Sequence, residues 1–206
     1  MTEKELQQAG YLYKVDRELF ALHVNAKRIT RLLNSTLETE VERRRELVKE
    51  LFAEAGEGSY IEPPFHCDYG YNISVGKRFF CNYDCVFLDC GKITVGDYVM
   101  MGPKVQIYTA NHPIDPGVRQ FGHDHGIPVK VGSNVWIGGG SVLCPGVTVG
   151  DNTVIGAGSV VTHDIPSGVV AAGNPCRVIR PVTQADTDYW QNQLALYRQL
   201  CDAPLA

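Results

Sequence analysis

The 206-residue sequence predicts a mostly β fold, a solenoid of three-sided coils with an N-terminal helical cap and a C-terminal helix. Three regularities point to it. An apolar residue recurs every six positions at Val131, Ile137, Leu143, Val149, Ile155 and Val161. Glycine follows directly at Gly132, Gly138, Gly150 and Gly156. Four places after each apolar residue stands a small or β-branched one: Val135, Ser141, Val147, Thr153, Ser159 and Ile165.

A period of six fits no α-helix. It fits a unit made of one short strand and one corner, with three units closing a triangular coil. The apolar residue points into the prism and the glycine is expected to permit the corner. Stacked coils then share one continuous core, as in other solenoids. The same register runs earlier, through Val75, Cys81 and Phe87 and through Val95, Met101 and Ile107, with two residues inserted near Cys90 and Gly91. Ile107 and Val131 are 24 residues apart, so the repeat resumes in phase after an interruption.

Residues 1–58 read as the helical cap. Thr2 with Glu5 forms a capping box before a short helix, and a second helix runs from Asp16 to Leu33, with Phe20, Val24, Ala26, Ile29, Leu32 and Leu33 near one face. Ser35 with Glu38 suggests a second capping box, ahead of Val41, Leu47, Val48, Leu51 and Phe52 at helical spacing. Residues 59–182 read as the solenoid. Residues 183–206 read as an amphipathic helical tail carrying Tyr189, Trp190 and Tyr197.

Composition excludes several classes. A net charge of −4 lacks the clustered Lys and Arg that nucleic acid requires. No apolar run reaches the length of a membrane span, about 18 residues, and the polar start MTEKELQQAG suggests no secretion. A cytoplasmic protein is expected, its seven cysteines reduced. Cys81, Cys85 and Cys90 match no zinc spacing and read as small core residues.

The longest departure from the repeat is a protruding loop at 113–128, PIDPGVRQFGHDHGIP, directly preceded by Asn111-His112. Insertions in solenoids project at corners, where ligands often bind. An imidazole placed there is a good proton acceptor near neutral pH. The alternative is a histidine that caps a turn.

The hexapeptide units with NHPIDP, VGSNVWIGGGSVLCPGVTVGDNTVIGAGSVVTHDIP and AAGNPCRVIR resemble the sugar O-acetyltransferases of the hexapeptide-repeat family. YIEPPFHCDYGYNISVG followed by NYDCVFLD looks most like its maltose O-acetyltransferase branch, with galactoside and nodulation acetyltransferases as relatives. The resemblance spans residues 5 to about 180. It implies a left-handed parallel β-helix, a homotrimer with clefts between prisms, acetyl-CoA as co-substrate, a sugar acceptor and no metal requirement.

The resemblance also implies site residues. His112 matches the catalytic histidine of the NHP motif, as general base. Asn82, Asp68 and Asp89 match acceptor-site positions, with corner or turn capping as the alternative for each. Asp16 corresponds to an acidic sugar ligand. Gly139, Ala157, Thr162, His163, Arg177 and Arg180 match the coenzyme groove, where small residues admit the pantetheine and arginines reach phosphates. The repeat itself also demands small residues, and the arginines also suit a solvated turn. Trp136 is assigned to the acetyl end of the cleft, with packing as its alternative. His163 replaces the usual lysine, so more pH-dependent coenzyme binding is expected. Two other readings compete: a γ-type carbonic anhydrase using His112, His123 and His125 on zinc, and a non-catalytic assembly module.

Overall fold

The computed structural model describes residues 1–202; residues 203–206 of the expected tail lie outside the described residues. After α1 (Glu3–Gln8), β1 (Leu12–Tyr13), α2 (Arg17–Asn34) and α3 (Val41–Leu51), the chain winds into coils beginning at Glu54. The first three coils are β2 (Glu54–Ala55), β3 (Tyr60–Ile61), β4 (Phe65–Cys67); β5 (Ile73–Val75), β6 (Phe80–Cys81), β7 (Cys85–Leu88); and β8 (Ile93–Val95), β9 (Met100–Met101), β10 (Gln106–Tyr108). An excursion follows, of β11 (Ala110–Asn111), α4 (Pro116–Arg119) and β12 (Asp124–Gly126). Winding resumes with β13 (Val129–Val131), β14 (Trp136–Ile137), β15 (Val142–Leu143), then β16 (Thr148–Val149), β17 (Val154–Ile155), β18 (Val160–Val161) and β19 (Val169–Ala172). The last described elements are β20 (Arg177–Pro181) and α5 (Gln184–Asp202).

Strands of successive coils pair in parallel and make three walls: a first sheet from β2 to β16, a second from β3 to β19, and a third from β4 to β18. Within these three walls, among the described residues, only β20 runs antiparallel, closing the second sheet against β19. The sixfold apolar positions form vertical columns. Cys81, Met101, Ile137, Ile155 and Ala171 stack in one, Phe87, Ile107, Leu143 and Val161 in another, and all are buried. The residues four places on are buried too, and Ser141 and Ser159 satisfy their hydroxyls on the carbonyl of Gly156. Cys81 and Cys85 are core residues.

The glycine after each apolar residue has a different cause from the one its sequence position suggests. Gly132, Gly138, Gly150 and Gly156 do not adopt positive φ; that conformation falls two residues later, at Asn134, Gly140, Asn152 and Gly158. A Cβ on Gly138 would instead lie 2.5 Å from the backbone nitrogen of Ala157, on the next coil. The stacking distance between coils, not the bend, excludes a side chain there.

The cap covers the open end of the prism. α2 and α3 send Ala26, Ile29, Leu33, Leu47 and Leu51 into the same core. Asn34 pairs with the edge strand β4 as another strand would, its amide donating to Phe65 O and its Oδ1 accepting from Phe65 N, both at 2.9 Å. A sheet edge that would otherwise stay unpaired is thereby satisfied. Thr2 and Glu5 form the expected capping box. Ser35 and Glu38 do not: Ser35 ends α2, donating its hydroxyl to Arg31 O, and α3 starts later, at Val41. Phe20 and Val24 of the expected buried stripe are exposed, and Leu19 takes the inward position. Among the described residues no helix is long and apolar enough to cross a membrane.

Asp89 ties two coils together. It is fully buried; Oδ1 accepts the amides of Asp68 at 2.9 Å and Tyr69 at 2.8 Å, while Oδ2 has no partner. Burial raises its pKa to about 6 from 3.8, against the lowering effect of those amides. The folded protein therefore keeps this proton up to about pH 6, whereas the unfolded chain releases it near pH 4. Ionising Asp89 in place weakens the fold as pH rises through that window, with the full cost, about 3 kcal/mol, reached above it.

Two predictions follow from this packing. Gly138→Ala should cost about 3 kcal/mol, because backbone of the next coil obstructs the methyl. Gly140→Ala, with open space around it and only backbone strain, should cost about 1 kcal/mol. Denaturant unfolding of both variants decides the matter, and equal losses would disprove the stacking account. Asp89→Asn should gain stability relative to wild type between pH 4 and pH 7, by about 3 kcal/mol. An offset between the two proteins that stays constant over that range would refute the buried-carboxylate assignment.

Candidate active site

The excursion that interrupts the repeat is ordered by pairing. β12 lies antiparallel between β11 and β1, with Asn111 opposite His125 and Tyr13 opposite Asp124. The cap segment thus holds the loop, and His125 Nε2 meets Gly10 O at 3.0 Å. His112 follows β11 at the corner between the third and first sheets, its side chain 60% exposed. Its Nδ1 is 3.3 Å from Asp124 Oδ1. One ring nitrogen therefore faces a carboxylate.

Asp124 also borders a cavity of about 300 Å³ lined by Val15, Phe20, His23, Asp68, Tyr69 and Cys90. Two carboxylates and a set of apolar and aromatic surfaces converge there, a composition suited to a small polyhydroxylated molecule with apolar C–H faces. Asp68 is held by Lys27 at 3.4 Å. His23 meets Tyr69 edge-on at 5.8 Å. Burial pushes the Cys90 thiol up to about 12 and raises the Tyr69 phenol, so both are protonated and uncharged at neutral pH. Behind the cavity, Tyr13, Leu19, Tyr69 and Cys90 form a second apolar cluster that fixes the cap against this corner.

His112 and Asp68 are at this corner as the sequence predicts, with Asp89 buried beneath it. Asp16 stands one residue from Val15, but its carboxylate caps α2, accepting from Leu19 N at 2.9 Å. Asp124, Phe20, His23 and Tyr69 escape the sequence reading. The carboxylate in HDH was available as a partner for a nearby histidine, but only strand pairing selects it. Phe20 was hidden by its place in the helical stripe.

Asn82, Gly139 and Ala157 lie elsewhere, along the corner between the second and third sheets. Asn82 Oδ1 accepts from Tyr83 N at 2.8 Å, a corner-capping bond. Gly139 and Ala157 follow at the equivalent corner of later coils, and Gly158 N donates to Gly139 O. Trp136 is a strand residue on the outer face of the second sheet, between Met100 and Val154, and is 56% exposed.

Toward the C-terminal end, His163 and Arg177 border a cavity of about 310 Å³ with Ile165 and Cys176. Thr162 Oγ1 lies 2.9 Å from His163 Nδ1. Arg180 is not with them: it grips Asp186 of α5 through two bonds of 2.7 and 2.8 Å, and holds that carboxyl well below its ordinary range. A larger cleft, about 510 Å³, lies between α3 and the first coil and involves none of the sequence-predicted residues. Among the described residues no three His, Cys, Asp or Glu side chains converge on a metal-sized space, and His125 is already engaged.

Residues 8–56 match the maltose acetyltransferase hexapeptide capping motif and residues 128–163 the bacterial transferase hexapeptide (six repeats) family. Nodulation protein L of Rhizobium meliloti (strain 1021) is 51% identical over 86% of this chain and 97% of its own length. The crystal structure of a maltose O-acetyltransferase from Clostridium difficile 630 superposes with a TM-score of 0.88 at 54% identity, covering 89% of this chain and 98% of that one. A galactoside acetyltransferase in complex with coenzyme A gives 0.87 at 41% identity, covering 91% and 94%. With repeat, cap and surrounding corners all in agreement, the chain belongs to the hexapeptide-repeat sugar O-acetyltransferase family, in the branch that bears the maltose acetyltransferase cap.

Proposed function

We propose that the protein transfers the acetyl group of acetyl-CoA to a hydroxyl of maltose, glucose or a related sugar, the 6-hydroxyl being the expected position, with His112 as general base. The pairing of His112 with Asp124 at the rim of a cavity furnished with carboxylates and aromatic rings carries this reading. Asp124 selects the tautomer with the proton on Nδ1, which leaves the Nε2 lone pair facing outward. As the sugar oxygen bonds to the thioester carbonyl carbon, its proton passes to Nε2. The carbon–sulfur bond then breaks and the imidazolium returns the proton to the departing thiolate. Asp124 stabilises the imidazolium in between.

Transfer is direct in this scheme. The thioester is already activated, so holding both reactants together supplies much of the acceleration. Cys90, the thiol lining the acceptor cavity, is kept protonated by burial and is a poor nucleophile. Asp68 suits sugar hydroxyls, and Asp89 acts from beneath by holding the amides of Asp68 and Tyr69. Asp16 serves as a positioning residue through its cap. For the coenzyme, Thr162, His163 and Arg177 are the proposed partners of its phosphates or pantetheine, and Gly139 and Ala157 would admit it close to the backbone. Arg180 takes part only when Asp186 releases it.

A homotrimer accounts for the distribution of these residues. One corner carries Asp68, His112, Thr162 and His163; the other carries Asn82, Gly139 and Ala157, with the whole third sheet between them. A neighbouring copy that presents its second corner to the first corner of this one would complete each cleft, and such unlike-to-unlike contacts close into rings. The outer face of the second sheet supports association. Phe80, Met100, Trp136 and Val154 stand in register there, with Met100 55% and Trp136 56% exposed. Exposed Met100 and Trp136, flanked by the half-buried Phe80 and Val154, form an apolar patch of the kind that marks a contact face. We place the reaction in the cytoplasm, where free thiols persist.

Assaying a panel of sugars for acetyl-CoA-dependent thiol release should show His112→Ala lowered in turnover by roughly 10²–10⁴-fold with coenzyme affinity retained. Near-full turnover of the variant on every accepted sugar would remove His112 from the mechanism. Coenzyme affinity should depend more strongly on pH between 6 and 8 in the wild type than in His163→Lys, where a lysine stands in place of the imidazole. Equal pH profiles for the two proteins would show that His163 does not meet the coenzyme's phosphates.

A further inference from the structure

We propose that α5 is a self-association element whose apolar face packs against the α5 helices of other copies of this chain. Among the described residues nothing covers the apolar side chains of this helix. Tyr189, Trp190, Leu194, Leu196, Tyr197 and Leu200 are 47–68% exposed. These side chains are not scattered. Trp190, Leu194, Tyr197 and Cys201 are spaced four, three and four residues apart, and form one seam along the helix. Tyr189, Leu196 and Leu200 form a second seam beside it, with Gln193 at its fourth place. At about 100° per residue the two seams together span roughly 160° of the surface.

One seam serves a pair of helices; two adjacent seams on one helix serve two neighbours at once. That is the requirement of a three-helix cluster, and it matches the number of copies in the proposed ring, on which this inference rests for its stoichiometry. The helix's own prism does not supply the cover. Arg180 on β20 grips Asp186, whose carboxylate also accepts from Thr183 N at 2.8 Å, so the first turn is fixed to the end of the second sheet and leads the rest away. The same sheet carries the exposed Met100 and Trp136 beside the half-buried Phe80, so α5 extends an apolar face that the proposed ring would use.

Charge favours a second copy over a lipid surface. α5 carries Asp186, Asp188 and Asp202 against the single basic Arg198, whereas helices that lie on anionic membranes are rich in Lys and Arg. Apart from Asp186, already paired with Arg180, the seams carry no charge, so nothing repels like seams. The sequence resemblance to the family ends near residue 180, ahead of this helix, so α5 is an addition to a fold whose prism is complete without it.

Cys201 provides a direct readout, because it occupies a seam position and is exposed. In the full-length protein at low concentration, mild copper–phenanthroline oxidation should join copies into dimers visible on a non-reducing gel, and Cys201→Ser should abolish them. Leu194→Asp with Tyr197→Asp changes only exposed side chains. It should suppress this cross-link and raise the concentration at which the assembly dissociates, measured by sedimentation velocity, by about tenfold or more. Acetyl transfer measured above that concentration should be retained. A wild-type trimer that neither cross-links nor weakens in the double variant overturns the role of α5 and leaves the ring standing. A wild type that sediments as a monomer at micromolar concentration overturns both. Selective loss of a different protein or of vesicle binding in the double variant, with the trimer unchanged, identifies another occupant and refutes the proposal.

Discussion

Coils stacked at strand spacing, about 4.8 Å, constrain everything else in this molecule. At that distance the backbone of one coil excludes a Cβ from the coil beside it at Gly132, Gly138 and Gly150, and at Gly156 the Cβ of Ala172 does the same at 2.8 Å. The same spacing lets valine, isoleucine and leucine columns fill the prism without gaps. A wall built this way has no room for irregularity. Chemistry is therefore displaced to the corners, the one place where the chain can leave and return in register.

The excursion between β10 and β13 uses that freedom. It leaves after the third sheet and rejoins the first in phase, so the core columns are undisturbed. Its shape comes from outside the solenoid. β1 of the cap pairs with β12, and β12 pairs with β11, which places Asp124 beside His112. The cap that seals the open end of the prism also supplies Val15, Phe20 and His23 to the cavity. Sealing the core and furnishing the acceptor side are thus one structural act. Asp89 shows the cost of this arrangement: a carboxyl driven into the interior to hold two corner amides, at the expense of its own ionisation.

The coil geometry divides the residues proposed for both reactants between the two edges of the third sheet, Asp68, His112, Thr162 and His163 on one and Asn82, Gly139 and Ala157 on the other. In the proposed ring each cleft therefore draws on two copies. The exposed ladder on the second sheet and the uncovered α5 are the apolar surfaces through which copies would meet. Arg180, half exposed, is committed to the start of α5 through Asp186.

The sixfold rhythm determined the architecture before any coordinates were known, because only a three-sided coil turns that spacing into a continuous apolar interior. The interruption after Asn111 likewise pointed to His112, and Thr2 with Glu5 to the first helix. The sequence also located the glycines but not their reason, since a one-dimensional pattern cannot distinguish a bend from a close approach between coils. Only the tertiary structure decided that Asp124 rather than another acid faces His112, that Phe20 opens to a cavity rather than the core, and that Asn82 sits a full sheet away from the histidine. Those are contacts between segments distant in the chain, fixed by strand pairing and packing rather than by local pattern.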